Sequence, residues 1–172
     1  MGQIKDQMIQ FLAKKDIDVL VAQLAKQIER DYEGKEIIFI CPLRGSVHFV
    51  ADLMRKVNLH QQVDFVYVTP VEKGGAIKIV KDISLNIGGK HVIIVEEIID
   101  TGRTLSFLRN RLFASAPASL KIVTLLDKPA RRELAIKPDY IGKTIDDRYV
   151  VGYGMDSEEK GRNYPDVYHL KN

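Results

Sequence analysis

The chain has 172 residues, 45% of them apolar and 28% charged, which suits a single globular domain over residues 1–172 with a sizeable core. Its net charge of +3 is spread along the sequence, which argues against a nucleic-acid partner, and no apolar run approaches the roughly 18 residues that would span a membrane. Cys41 is the only cysteine and the four histidines show no metal-ligand spacing, so disulfide and zinc chemistry lack support and a reducing cytoplasm is the expected setting.

The opening residues, MGQIKDQMIQFLAKK, lack the layout of a signal peptide, and Asp6 stands where a myristoylation site would need Ser or Thr. Ile17, Leu20, Val21, Leu24 and Ile28 recur at helical spacing, so residues 17–31 should form a helix capped by Asp16 or Asp18 and stopped by Gly34. Residues 36–41 read as a buried strand, and Pro42 should begin a loop, LRGS. Helical spacing returns at 47–57. Residues 63–68 form the next strand, a polar segment TPVEKGGA follows, and 77–80 alternate as if to pair with that strand. A turn at 86–90 leads into a strand from residue 92, and a helix runs near 105–113. Further strands are expected at 121–126, 139–145 and 148–153. Strands alternating with helices predict an α/β fold around a central, mostly parallel sheet, with the terminal segments as additions able to form a small hood.

The stretch VIIVEEIIDTGRT, residues 92–104, carries the most chemistry. Val92 to Val95 suit a strand buried on both faces, and at its C-terminal end stand Glu96, Glu97 and Asp100, where α/β sheets bind their ligands. Thr101, Gly102, Arg103 and Thr104 then lead into a helix. Gly102 permits close approach of the backbone, and helix-start amides beside two hydroxyls make a phosphate cradle. Acids that can grip ribose hydroxyls beside amides that can grip phosphate point to a sugar phosphate.

The whole string closely resembles the 5-phosphoribosyl-1-pyrophosphate (PRPP) signature of type I phosphoribosyltransferases, and that fold is what the resemblance implies. Beside it, LRGS at 43–46 resembles the family's pyrophosphate-binding loop, with Arg44 and Gly45 as pyrophosphate contacts and a cis peptide between Leu43 and Arg44. Lys128 in LLDKPARR, with Tyr149, Val150 and Asp156 in RYVVGYGMD, resembles the base-recognition elements of hypoxanthine-guanine phosphoribosyltransferases. The resemblance implies that Lys128 donates to the purine 6-oxo group, Tyr149 stacks on the ring, Val150 reads its edge, and Asp156 helps hold a second magnesium through water. Arg162, in EEKGRNYPD, matches an arginine near the departing pyrophosphate.

The family analogy further implies Mg2+ as cofactor, held through Glu96 and Glu97 with Asp156, Asp100 as the catalytic group facing purine N7, small-molecule substrates, and a homodimer or homotetramer. A lysine ammonium has donors only, so hypoxanthine or guanine should fit and adenine should not. Two features depart from the family: Glu97 stands where the second acid is usually Asp, and the segment Thr69 to Gly75 is short where a mobile lid is usual. These departures keep open a PRPP- or nucleotide-sensing regulatory protein with little catalysis, and a transferase for xanthine or another base is a third reading.

Overall fold

The computed structural model describes residues 8–70 and 76–170. In chain order the elements are β1 (Met8–Leu12), α1 (Lys14–Asp31), β2 (Ile37–Pro42), α2 (Val47–Lys56), β3 (Gln61–Pro70), β4 (Ile77–Lys81), β5 (His91–Ile99), α3 (Arg103–Phe113), β6 (Ser119–Asp127), β7 (Tyr140–Thr144), β8 (Val150–Val151) and β9 (Val167–Leu170), with a 3-10 turn at Pro129–Arg131. Among the described residues no helix is long and apolar enough to cross a membrane.

Six strands make the central sheet in the order β4-β3-β2-β5-β6-β7. β3, β2, β5, β6 and β7 pair in parallel, and only the edge strand β4 runs antiparallel, against β3. The expected α/β class with a mostly parallel sheet is therefore the observed one. Alternation along the strands sorts the core. Ile37, Phe39, Cys41, Ile93 and Val95 pack with α1 and α2 on one face, whereas Ile38, Ile40, Val92 and Ile94 pack with Leu105, Leu108 and Leu112 of α3 on the other. Cys41 is a free, buried thiol, and burial pushes its pKa well above the ordinary range, away from nucleophilic use.

From β2 the chain steps to β3 on one side, and from β5 to β6 on the other. Between these two central strands the order reverses, leaving a crevice beyond their C-terminal ends. The LRGS loop leaves β2 there, and the acidic signature ends β5.

A separate three-stranded sheet, β1-β9-β8, forms the hood from the two terminal segments. β1 pairs antiparallel with β9, and Val150 of β8 lies opposite His169. Neither β1 nor β9 was legible in the sequence, because each is only a few residues long and gains its partner from the far end of the chain.

The start of α1 corrects the expected cap. The helix begins at Lys14, Asp16 lies within its first turn, and Asp18 is ion-paired with the Lys14 ammonium instead of capping. The cap comes from Asp166, whose Oδ1 accepts from the Lys14 backbone N–H at 2.7 Å. No local pattern reveals a cap from 152 positions away. That same bond is the leading cause holding the Asp166 carboxyl below its usual pKa. Replacing Asp166 by Ala should cost about 1 kcal/mol in chemical denaturation at neutral pH. Because the native pKa is depressed, the contribution is present above the ordinary carboxylate range and lost as pH falls through the native value. The stability gap between the two chains should therefore narrow below about pH 4.

Candidate active site

Two cavities meet at the crevice. The first, about 320 Å³, is lined by residues 42–45 after β2, by 96–105 from β5 into α3, and by Arg162. The second, about 170 Å³, is lined by Lys128, Tyr149, Val150, Met155 and Asp156 and shares Glu97, Ile98 and Asp100 with the first. Each site residue expected from the sequence lines one cavity or both: the phosphate, ribose and pyrophosphate candidates the first, and the base candidates the second. Ile98 and Met155 also line the second cavity; in the sequence they look like ordinary core residues.

Gly102 caps α3 in the left-handed region, with φ of 81°. A Cβ there would sit 2.6 Å from Ile136 Cγ2 and 3.0 Å from Arg132 Cδ, so both conformation and space call for glycine. Thr101 Oγ1 accepts from the Arg103 N–H at 3.4 Å, and the amides of the first turn have no preceding helical carbonyl to bond. The N-terminus of α3 can therefore receive an anion. The Arg103 side chain turns to Glu133, forming an ion pair.

Glu96 and Glu97 make no ion pair among the described residues. Burial is the first cause raising both carboxyl pKa values, and Glu97 adds to the rise at Glu96. Glu97 is pushed up to about 7, with Arg162 opposing the rise and Asp156 adding to it. The backbone of the 43–46 loop packs directly on this group, since a Cβ on Gly45 would fall 1.7 Å from Glu97 Oε1. Two partly buried carboxyls that make no ion pair form an oxygen donor set that a divalent cation would relieve. No group of three or more His, Cys, Asp or Glu suited to a metal occurs among the described residues. A magnesium ion would thus take its other ligands from water and substrate oxygens.

A chain of charges spans the two cavities. Arg44 Nη1 donates to Glu159 Oε2 at 2.6 Å, and the same oxygen receives Arg162 Nη2 at 3.2 Å. Arg162 Nη2 also lies 2.8 Å from Asp156 Oδ1, while Asp156 Oδ2 accepts from the Glu159 N–H at 2.9 Å. Both Asp156 oxygens are engaged, which suits an action through water better than direct metal ligation. The Leu43–Arg44 peptide is cis, as the resemblance implied. Arg44 also donates to Tyr67 Oη at 3.2 Å and lies over that ring. Glu159 and Tyr67 gave no signal in the sequence.

Asp100 Oδ1 accepts from Arg131 Nε at 3.0 Å, and the Asp100 carbonyl accepts from Arg132 Nη1. Arg132 is itself ion-paired with buried Asp127. These two arginines stand in KPARR, but their spacing alone names no partner. Lys128 is 6% exposed, and its backbone N–H donates to Ile99 O at 3.0 Å, tying the base cavity to the end of β5. Its ammonium makes no ion pair or hydrogen bond among the described residues. Tyr149 is 53% exposed and donates from Oη to the Asp156 carbonyl at 2.9 Å, which presents the ring as an open face. Val150 is buried in β8. The expected short lid falls largely on residues 71–75, which lie outside the described residues.

Comparison with known proteins agrees with this geometry. Residues 9–158 match the family model of the phosphoribosyl transferase domain. A hypoxanthine-guanine phosphoribosyltransferase of Streptococcus thermophilus is 40% identical over 163 residues, covering 92% of this chain and 91% of that protein. The crystal structure of a hypoxanthine-guanine phosphoribosyltransferase from Bacillus anthracis superposes with a TM-score of 0.91 at 43% identity, over 95% of this chain and 97% of that one. A hypoxanthine phosphoribosyltransferase from Staphylococcus aureus gives 0.95 at 37% identity, over 99% and 95%.

The raised Glu97 pKa has a consequence for stability. From an ordinary 4.5 to about 7, the native carboxyl holds its proton longer than the unfolded chain does. Stability from this group is therefore lost as pH rises across that window. The thermal midpoint of the unaltered chain should fall between about pH 5 and pH 8 relative to Glu97→Gln, and magnesium chloride should raise it more at the higher pH. Parallel melting curves for the two chains would contradict this account.

Proposed function

The chain belongs to the phosphoribosyltransferase family, and on that footing we propose that it joins hypoxanthine or guanine to PRPP, releasing pyrophosphate and forming IMP or GMP in purine salvage. The observation that carries this reading is the meeting of the two cavities at Glu97, Ile98 and Asp100. One cavity offers amides and hydroxyls for a phosphate, and the other a buried ammonium and an open aromatic ring for a base. Their junction is where a ribose C1 would stand.

In this reading the 5-phosphate sits on the amides of residues 101–104 with the Thr101 and Thr104 hydroxyls. Glu96 and Glu97 hold the ribose hydroxyls, directly or through magnesium. Arg44, Gly45 and Arg162 face the pyrophosphate. Magnesium, when bound, supplies countercharge to that leaving group. The purine N9 attacks C1 as the C1–oxygen bond to pyrophosphate breaks, with positive charge developing on the ribose. Arg131 occupies Asp100 Oδ1 and leaves Oδ2 to accept the proton of the purine at N7. Tyr149 stacks on the ring, the Val150 backbone reads its edge, and Asp156 acts on magnesium through water.

Lys128 sets the choice of base. Its ammonium has donors only, so a 6-oxo group satisfies it and a 6-amino group does not. In a buried pocket that mismatch costs about 1–3 kcal/mol. The reading carries with it a homodimer or homotetramer and a cytoplasmic setting, which suits the lone buried thiol of Cys41.

Incubation with PRPP, magnesium and each base in turn tests the proposal through pyrophosphate release. Hypoxanthine and guanine should be turned over and adenine should not. PRPP uptake without pyrophosphate from any base would point instead to a sensor, and release with xanthine alone to a different specificity. Asp100→Asn should lower turnover by about 10²–10⁴-fold with PRPP binding largely kept. Unchanged turnover in that variant would remove Asp100 from the chemistry.

A further inference from the structure

The segment that carries the base cavity turns through three consecutive residues of positive φ: Gly152 at 111°, Tyr153 at 49° and Gly154 at 99°. Two of them are glycine, for which this conformation is ordinary. Tyr153 is not, and a residue of its kind holds such a backbone only where its surroundings fix it. The surroundings here are specific. Tyr153 is buried, and its Oη donates to Asp52 Oδ2 at 2.7 Å. Its backbone N–H donates to Tyr164 O at 2.8 Å, and its ring lies 6.1 Å from that of His48. Asp52 is secured in turn by Arg55 at 2.5 Å and Lys14 at 3.3 Å.

The other side of the same turn meets the pyrophosphate loop. A Cβ on Gly154 would lie 1.9 Å from Gly45 O, so the two backbones are in direct apposition. Gly45 in turn packs on Glu97. Immediately beside the turn, Val150, Met155 and Asp156 line the base cavity. Helix α2 thus holds this turn from two points: the loop that leads into its N-terminus touches Gly154, and Asp52, within the helix, grips Tyr153.

We propose that Asp52, acting through the Tyr153 hydroxyl, is a positioning residue that fixes the register between the pyrophosphate loop and the base subsite. The inference rests on the transferase reading for its kinetic consequence but not for its structural one. Neither residue lines either cavity. Their effect is on alignment, where small displacements between reacting groups cost turnover steeply.

Tyr153→Phe removes only the hydroxyl and keeps the ring. It should lower kcat about tenfold, with KM for PRPP and for hypoxanthine each within about threefold of the unaltered chain. Asp52→Ala should do the same, and the double variant should be no worse than either single one. Asp52→Asn keeps an oxygen acceptor for the hydroxyl and should recover most of the lost kcat. A merely structural contact would lower the thermal midpoint and leave kcat alone, and that result overturns the proposal. So do additive losses in the double variant.

Hydrogen exchange supplies a readout independent of activity. In Tyr153→Phe, protection should fall together in residues 43–46 and 150–156. Loosening confined to 150–156 overturns the proposal even if the chain catalyses nothing. Inactivity of the unaltered chain with all bases, together with joint loosening in Tyr153→Phe, would refute the transferase reading and leave the positioning role standing.

Discussion

The parallel pairing of β2 with β5 is the constraint on which the site depends. Because the chain leaves these neighbours toward opposite edges of the sheet, no crossover covers their C-terminal ends. Two loops far apart in sequence are thereby delivered to one crevice. Their contact is close enough that Gly45 admits no side chain against Glu97. The apolar alternation of residues 37–41 and 92–95 thus has a chemical consequence. By burying both faces of the two strands, it secures the register that sets a cation-bearing loop beside a carboxyl pair.

The electrostatics of the crevice are incomplete in a directed way. Arg44, Arg162, Asp156 and Glu159 pair with one another along the outer rim, while the buried Arg162 Nε keeps no hydrogen-bond partner among the described residues. The exposed Arg44–Glu159 pair adds little stability, so its value lies in orienting the groups. Deeper in, Glu96 and Glu97 make no ion pair among the described residues, and burial raises their pKa values. Lys128 is likewise buried without a carboxylate partner. A protein selected for stability alone would neutralise these groups within the chain. In the proposed reading they are met by what a ligand brings: a divalent cation and hydroxyls at the carboxyls, and a carbonyl oxygen at the ammonium.

Much of this was legible in the sequence because it rests on local patterns. The β-branched run before Glu96, the single glycine at the start of α3, and the loop following β2 all report their structure within a few residues. What stayed hidden depends on contacts across the fold. Asp166 caps α1 from the far end of the chain, β1 finds β9, and Arg131 finds Asp100, yet each of these residues looks like ordinary surface or turn chemistry in its own neighbourhood. Asp16 and Asp18 were reasonable caps by position, and the helix passed them by because a better acceptor arrived from elsewhere. Glu159 was invisible for the same reason, being one acid in a charged tail until the fold sets it between two arginines.

The hood shows why such distant contacts matter to specificity. Its strand β8 supplies Val150, and the glycine-rich turn after it supplies Met155 and Asp156, whereas Lys128 comes from the end of β6 in the main sheet. In the proposed reading, a base between Tyr149 and Lys128 would meet residues from two separate sheets. Its edge can be read only if their separation is held to within a hydrogen-bond tolerance of a few tenths of an ångström. The Lys128 N–H bond to Ile99 O fixes one side of this gap. The apposition of Gly154 with Gly45 fixes the other. The proposed selection of a carbonyl over an amino group would then rest on rigidity as much as on charge. An ammonium free to swing to solvent could retreat from an amino group, whereas Lys128 is 6% exposed and its backbone is fixed to the end of β5, which limits that retreat.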